Sequence, residues 1–513
     1  MDLIKSESST GSSDAGHGSK EAVNRTRHQK KKRANENPAT DESNGAGAAR
    51  IENPNVEETK KLIESLDALA IAAKEIDHDH LKGYLERYLL QELQLLRFCV
   101  HLKEAFSQVS IPWVKMFKES TLSALIDVPL SQIPKPVYDV SNKWIKDRTS
   151  EKLCKFVSMA GGCIVAEMEA QQGRGKGGKK GAQQTSSKSE VGTFVALAMV
   201  LRSRPDALIT VLRMLRERPT YGGEDKLPFV VWMMAQASQN DLSAGLYAWA
   251  HNLLPLMGDK KMKVCSPESM DLILQFVENI LSNPKARAIL VKGAVREGEP
   301  LIPLASFEIL LRLTFPDPSA RTKATERFEA IYPLLKEVAL APGTNTMEQI
   351  FTSSLNLAGE GNPVLAEEAT AIAIWSLAKN ADCFKLWDIV YAENLEASVA
   401  LLKKLVDEWK DHSVKLSSSP RDTLTVSQTM KSFRQKNAKA ITEGGADCSL
   451  YNEADKSCKV ISGRVDPGSG RRFTDITALV IGASGAAIGA AGVTFGVVGL
   501  KYVHGYSDCL MCL

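Results

Sequence analysis

From Asn55 to Ile441 large apolar residues recur three and four positions apart, with charged residues between them. This is the spacing of helices that bury one face. Glu57 to Ala73 places Leu62, Ile63, Leu66, Leu69 and Ala73 on one side. Leu81 to Phe106 does the same with Leu85, Tyr88, Leu89, Leu93, Leu96 and Val100. Farther along, the helices shorten and their starts are marked. Ser266-Pro267-Glu268 reads as an N-cap, a proline at the first helical position and an acid in the first turn, and Asn283-Pro284 and Asn362-Pro363 predict the same. Compact apolar helices are expected over Met270–Leu281, Phe307–Leu313 and Val364–Leu377. Several are apolar on more than one side, as helices sandwiched between neighbours are. No alternating strand run and no Asn-Gly hairpin turn is present. The expected fold class is therefore all-α, an irregular α-solenoid or helical array of the HEAT/armadillo kind. The sequence itself shows no fixed period near the roughly 40–47 residues of such repeats.

Breaks in this pattern divide the chain. Residues 1–54 are rich in Ser, Gly, Asn, Lys and Glu and hold too few apolar residues for a core, so disorder is expected there. Within them Arg25, Arg27, Lys30, Lys31, Lys32 and Arg33 form a basic run without an acid. Import to the nucleus, contact with anionic lipid or RNA, and a plain solvated charge run all fit it. A helical block is expected over 55–172, a Gly/Lys-rich flexible loop over 173–189 and the main helical array over 190–441. The loop contains G-x-G-x-x-G from Gly173 to Gly178, but no strand precedes it, and a phosphate-binding loop needs that strand. Residues 442–475 are expected to form a polar helix and a tether. Leu424–Ile461 reads as helical, interrupted at Thr442–Asp447, with a flexible segment from Ser462 to Gly470.

Residues 476–500 stand apart. Ile476 to Leu500 carries no charge and is long enough for a bilayer, which takes about 20 apolar residues. A transmembrane helix is expected, with a buried Gly/Ala-rich helix as the other reading. Gly485 with Gly489, and Gly492 with Gly496, have the G-x-x-x-G spacing that brings two helices close in lipid, so self-association through the span is a candidate. Arg471 and Arg472, with Lys456, Lys459 and Arg464, set a basic flank before the span, whereas Lys501 alone follows it closely. That asymmetry places the body in the cytosol and the short tail, 501–513, on the other side. A span so near the end predicts late insertion, as in tail-anchored proteins.

Composition adds mostly exclusions. Net charge is +3 over 513 residues, so no broad basic field argues for a specific nucleic-acid partner. The nine cysteines are scattered apart from Cys509 and Cys512, whose pairing, acylation or free state is left open. Asp77-His78-Asp79-His80 is the one metal-like cluster, and capping at a helix boundary explains it without a metal. No H-e-x-x-H or G-x-S-x-G pattern occurs, and no catalytic, cofactor or metal residue is assigned. Trp232, Trp249, Trp375, Trp387 and Trp409 lie in helical segments and are expected in the core.

Several longer words occur in order: Phe194 to Leu201 with Arg204-Pro205-Asp206-Ala207-Leu208, Val231 to Ala237, Trp249 to Pro255, Ile280 to Arg287 and Arg327 to Pro333. In these words the chain resembles the transmembrane protein 214 family, in particular its plant-type members. The resemblance implies an endoplasmic-reticulum membrane protein with a large helical cytosolic region. In animal relatives it implies a docking site for an initiator-type caspase during stress-induced apoptosis. The expected function is thus a non-enzymatic scaffold or adaptor that recruits cytosolic proteins and contacts membrane lipid, with no cofactor. A trafficking or tethering factor is the alternative, and a membrane-bound enzyme with an unrecognised site is a further one.

Overall fold

The computed structural model describes residues 54–87, 94–174, 190–258, 266–416 and 418–465. These residues form an all-α fold. Among them, no helix is long and apolar enough to cross a membrane. The expected span at Ile476–Leu500, its glycine pairs, its flank at Arg471 and Arg472, and the basic run from Arg25 to Arg33 all lie outside the described residues.

The first half is built around the helix Glu190–Ser203. Its sequence carries no charge between Glu190 and Arg202 and is apolar all round, so it can only be stable enclosed. Every residue from Val191 to Leu201 is buried. Gln94–Ala105, Lys135–Lys146, Ser150–Arg174, Asp206–Glu217 and Leu227–Ser238 pack around it. Phe194 stacks on Trp232 at 4.3 Å between ring centroids and meets Trp113 at 4.1 Å. Each such buried side chain contributes about 1.5–3 kcal/mol over leaving it in water. Some buried polar groups are matched, whereas the Trp113 indole and the Ser203 hydroxyl have no hydrogen-bond partner among the described residues. The Trp232 indole donates to the carbonyls of Leu125 and Val128, both at 3.1 Å. Gln236 donates to the Ile126 carbonyl at 2.7 Å and accepts from Arg202 Nε at 2.8 Å.

The second half stacks helix pairs. Leu304–Thr314 packs on Lys323–Ala339, Met347–Ala358 on Pro363–Lys379, and Pro420–Glu443 on Cys448–Val465. One hydrophobic core runs from Leu69 to Ile372 and a second from Phe351 to Ile461, with Met347 and Ala358 packed against both. Several side-chain bonds link layers across 45 to 50 residues, and others span as few as 32 or as many as 58. Arg327 grips Glu278 through two bonds, 49 residues away. Arg287 grips Glu337 at a separation of 50, and Arg312 grips Glu360 at 48. Ser353 donates to Glu308 at 45, Asn362 to the Phe315 carbonyl at 47, and Tyr391 to Asn437 at 46.

Helix starts follow the sequence in two of three places. Ser266 accepts from the Ser269 N–H, and Asn362 accepts from Val364 and Leu365. Asn283-Pro284 is different. Asn283 Oδ1 accepts from Lys285 N–H at 2.9 Å, forming a turn, and the helix begins only at Ala286. Of the apolar face expected on Leu81–Phe106, Leu85 is buried as expected and Tyr88, Leu89 and Leu93 lie outside the described residues, but on Gln94–Ala105 the face is displaced. The buried stripe is Leu95, Phe98, Cys99 and Leu102, whereas Leu96 and Val100 are 42% and 44% exposed. The neighbour there is Glu190–Ser203, and it meets the side of the helix that carries Cys99 and Lys103. Ile63 likewise sits outside the face shared by Leu62, Leu66, Leu69 and Ala73. Ser462–Val465, expected in the tether, continues the last helix. One short hairpin was not foreseen: Val295–Arg296 pairs with Glu299–Pro300 around Glu297 and Gly298, both at positive φ. Glu-Gly serves here in place of the Asn-Gly that usually marks such a turn.

Candidate functional site: a π-turn joint between the two halves

Trp249–Leu253 forms a π-helical turn between the helices Leu242–Ala248 and Leu254–Gly258. The reason is local. Pro255 has no N–H, so the His251 carbonyl loses its normal α-helical donor. The Leu254 N–H, which would serve Ala250, reaches back to Trp249 instead. Two carbonyls are thereby freed, and side chains from other helices meet them. Ser306 Oγ donates to the Ala250 carbonyl at 2.6 Å, in the buried interior. Arg216 Nη1 donates to the His251 carbonyl at 3.2 Å. The turn also sends bonds outward: Asn252 Nδ2 to the Leu212 carbonyl at 2.9 Å, and the Trp249 indole to the Ile273 carbonyl at 3.2 Å. Helices 206–217, 267–281 and 304–314 are thus fastened to one turn. A π-bulge in an α-helix often marks a functional position.

The outer side of the joint holds the hairpin. His251 stacks on Tyr247 with ring centroids 3.8 Å apart. Its Nε2 lies 3.0 Å from the Pro300 carbonyl, which can only accept, so Nε2 carries the proton. Tyr247 donates its hydroxyl to the Glu299 carboxylate. Arg296 Nη1 pairs with Asp241 at 2.6 Å, and Asp241 also caps the helix Leu242–Ala248. Burial pushes the His251 imidazole below its ordinary range, against the opposing pull of the Pro300 carbonyl and Glu299. Burial, reinforced by Glu299, pushes the Tyr247 phenol up. A neutral imidazole bonded to a carbonyl and a phenol bonded to a carboxylate are positioned to hold the hairpin.

Other sequence words resolve into joints of the same kind. Arg204 pairs with both Asp206 oxygens at 3.0 and 2.7 Å and donates to the carbonyls of Lys146 and Arg148. Desolvation alone would raise Asp206, but Arg204 outweighs it and holds the carboxyl below its usual range. Arg327 joins Glu278 and Asp271, and Tyr332 donates to Glu368 at 2.6 Å. Among the tryptophans, Trp232, Trp249 and Trp387 are fully buried, whereas Trp375 and Trp409 are half-buried. Asp77 does cap a helix, accepting from the Asp79 and His80 N–H groups at 2.9 and 3.3 Å. The helix Ser150–Arg174, not a strand, precedes the glycine-rich segment, so a phosphate-loop frame is absent. The joint itself escaped sequence reasoning, although Pro255 close behind His251 was a legible cause.

A family model described as "TMEM214, C-terminal, caspase 4 activator" matches residues 207–481, which include the joint and the stacked pairs. Transmembrane protein 214 of Bos taurus is 25% identical over 285 residues, covering 54% of this chain and 38% of the cattle protein. Transmembrane protein 214-B of Xenopus laevis is 26% identical over 241 residues, covering 47% of this chain and 32% of the frog protein. The Homo sapiens protein of that name is 23% identical over 285 residues, covering 54% of this chain and 38% of its own length. The chain therefore spans less than two fifths of these relatives. No solved structure matches. With more than half of its length matched by that model, the chain belongs to the transmembrane protein 214 family.

Proposed function

We propose that this chain is a non-enzymatic, membrane-anchored helical scaffold of the endoplasmic reticulum that recruits cytosolic proteins, in stress or cell-death signalling. The observation that carries this reading is the stacking of successive helix pairs, in which some cross-layer bonds span as few as 32 or as many as 58 residues and several span 45 to 50. An interval of that size is what stacked two-helix units produce, close to the roughly 40–47 residues of HEAT and armadillo repeats. We therefore read the second half as an irregular α-solenoid. Solenoids offer long surfaces for protein partners, and each unit leans only on its neighbours.

The membrane half of the proposal rests on Ile476–Leu500 and on the name borne by the relatives. Arg471 and Arg472 would keep the body cytosolic and leave the C-terminus luminal. The caspase in the family description supports a recruited protein as the partner. The test is protease treatment of intact microsomes carrying the chain with a tag at each end. The N-terminal tag should be digested and the C-terminal tag protected. A protected N-terminal tag would remove the orientation and the recruitment of cytosolic partners together. Deletion of 476–500 should release the protein into the soluble fraction.

A further inference from the structure

Among the described residues the pair Pro420–Glu443 and Cys448–Val465 comes last, and its exposed side is unlike that of the pair Met347–Ala358 and Pro363–Lys379. In that earlier pair the exposed charged side chains are one acid, Glu367, and one base, Lys379. In the last pair six bases are exposed, Arg421, Lys431, Lys439, Lys456, Lys459 and Arg464, against one acid, Glu443. Glu443 lies 3.8 Å from Lys439, and the partly buried Asp455 pairs with Lys459 at 2.7 Å. Aliphatic side chains share the basic faces. Leu424 is 57% exposed and follows Arg421 by three positions. Val460 is 40% exposed and stands four positions from both Lys456 and Arg464. Where the start of one helix meets the end of the other, Ser419, Leu424 and Val465 line an open cleft of about 520 Å³. Bases interleaved with aliphatic side chains are what a helix lying on a lipid surface presents.

We propose that the exposed side of this last pair rests on the anionic surface of the bilayer that holds the chain's own span, with Leu424 and Val460 entering the headgroup layer and the bases facing lipid phosphates. The inference rests on reading 476–500 as that span. Only residues 466–475 separate Val465 from Ile476. Fully extended, they reach roughly 40 Å. That is about the length of the 24-residue helix Pro420–Glu443 itself. The tether therefore holds the pair at the bilayer at high effective concentration. Arg471 and Arg472, within that stretch, add charge of the same sign. A base within a Debye length of an anionic surface, about 8 Å, is drawn to it, and each raises binding roughly fivefold. A protein partner would have to bring a matching acidic surface, whereas the bilayer supplies one at the end of the tether.

The test uses the full chain in vesicles of phosphatidylcholine alone, or of phosphatidylcholine with phosphatidylserine. Photoreactive p-benzoylphenylalanine replaces Leu424 or, as a control, the exposed Ile63 of the helix Pro54–Lys74. Flotation reports anchoring, and lipid adducts after illumination report docking. On vesicles with phosphatidylserine, position 424 should form lipid adducts several-fold above position 63 and above its own yield on phosphatidylcholine alone. Lys431→Gln combined with Lys456→Gln should lower that yield by roughly fivefold or more and leave flotation unchanged. Both lysines are exposed, so the fold is kept. A chain that floats but gives no more adduct at 424 than at 63, or the same yield on both compositions, overturns the proposal and leaves the anchor standing. A chain that does not float removes the anchor and the proposal together.

Discussion

The helix Glu190–Ser203 and the stacked pairs beyond Pro267 solve the same packing problem in opposite ways. The first is enclosed on every side, and its neighbours approach to backbone contact. The pairs keep part of each helix open to solvent and are fastened at their rims by ion pairs such as Arg327 with Glu278 and Arg287 with Glu337. Enclosure gives rigidity with no room for change. Rim fastening gives units that can be altered one at a time, which suits the recruiting surface proposed above. Between them the π-turn at Trp249–Leu253 converts one mode into the other, since its freed carbonyls bind side chains from both halves.

The sharpest way to break this contrast is at Gly192. A Cβ there would lie 2.3 Å from the Lys103 backbone nitrogen and 2.5 Å from the Leu102 carbonyl carbon. Backbone cannot swing aside as a side chain can. Gly192→Ala should therefore cost about 3 kcal/mol, at the upper end of ordinary overpacking, as read from the urea midpoint. A loss below about 0.5 kcal/mol would show that the two helices slide apart freely, and the enclosed half would no longer differ from the array.

A smaller loss is expected at the rims. Arg327→Ala removes two bonds to Glu278 and one to Asp271, at positions partly open to water. Solvent screening limits the cost to about 1 kcal/mol. Arg287→Ala, at an exposed pair, should leave the midpoint unchanged within error. If Arg287→Ala proved as costly as Arg327→Ala, the rim pairs would be acting as a cooperative network, and the units would not be separable.

Much of the fold class could be read in advance because helical spacing and caps are local. Ser266 and Asn362 cap where the sequence placed them, and the break after Glu443 falls where Thr442–Asp447 predicted it. The face of a helix is set by its neighbour. Leu96 and Val100 are apolar and recur at helical spacing, yet Glu190–Ser203 meets the adjacent stripe of Leu95, Phe98, Cys99 and Leu102.

The least effect, and the most selective, concerns pH. Burial lowers His251 from its ordinary value of 6.5, so in acid the unfolded chain takes up this proton before the folded one does. The sign follows: the neutral ring is fully compatible with folding above about pH 6.5, and stability falls as pH drops through that value toward the lower folded one. His101 is lowered by burial and by His80 and adds in the same direction. Urea midpoints at pH 7.5 and 5.5 should decrease for the parent and decrease less for His251→Gln, whose amide can still donate to the Pro300 carbonyl. Arg327→Ala should keep the parent's dependence, because the Arg327 guanidinium, held above its ordinary range by Glu278, stays charged across this interval. The comparison thus separates the joint from the rims by proton uptake alone. Parallel curves for the parent and His251→Gln would mean that the ring is solvated in the folded state, and the joint would then be held by its backbone bonds without the stacked Tyr247–His251 pair.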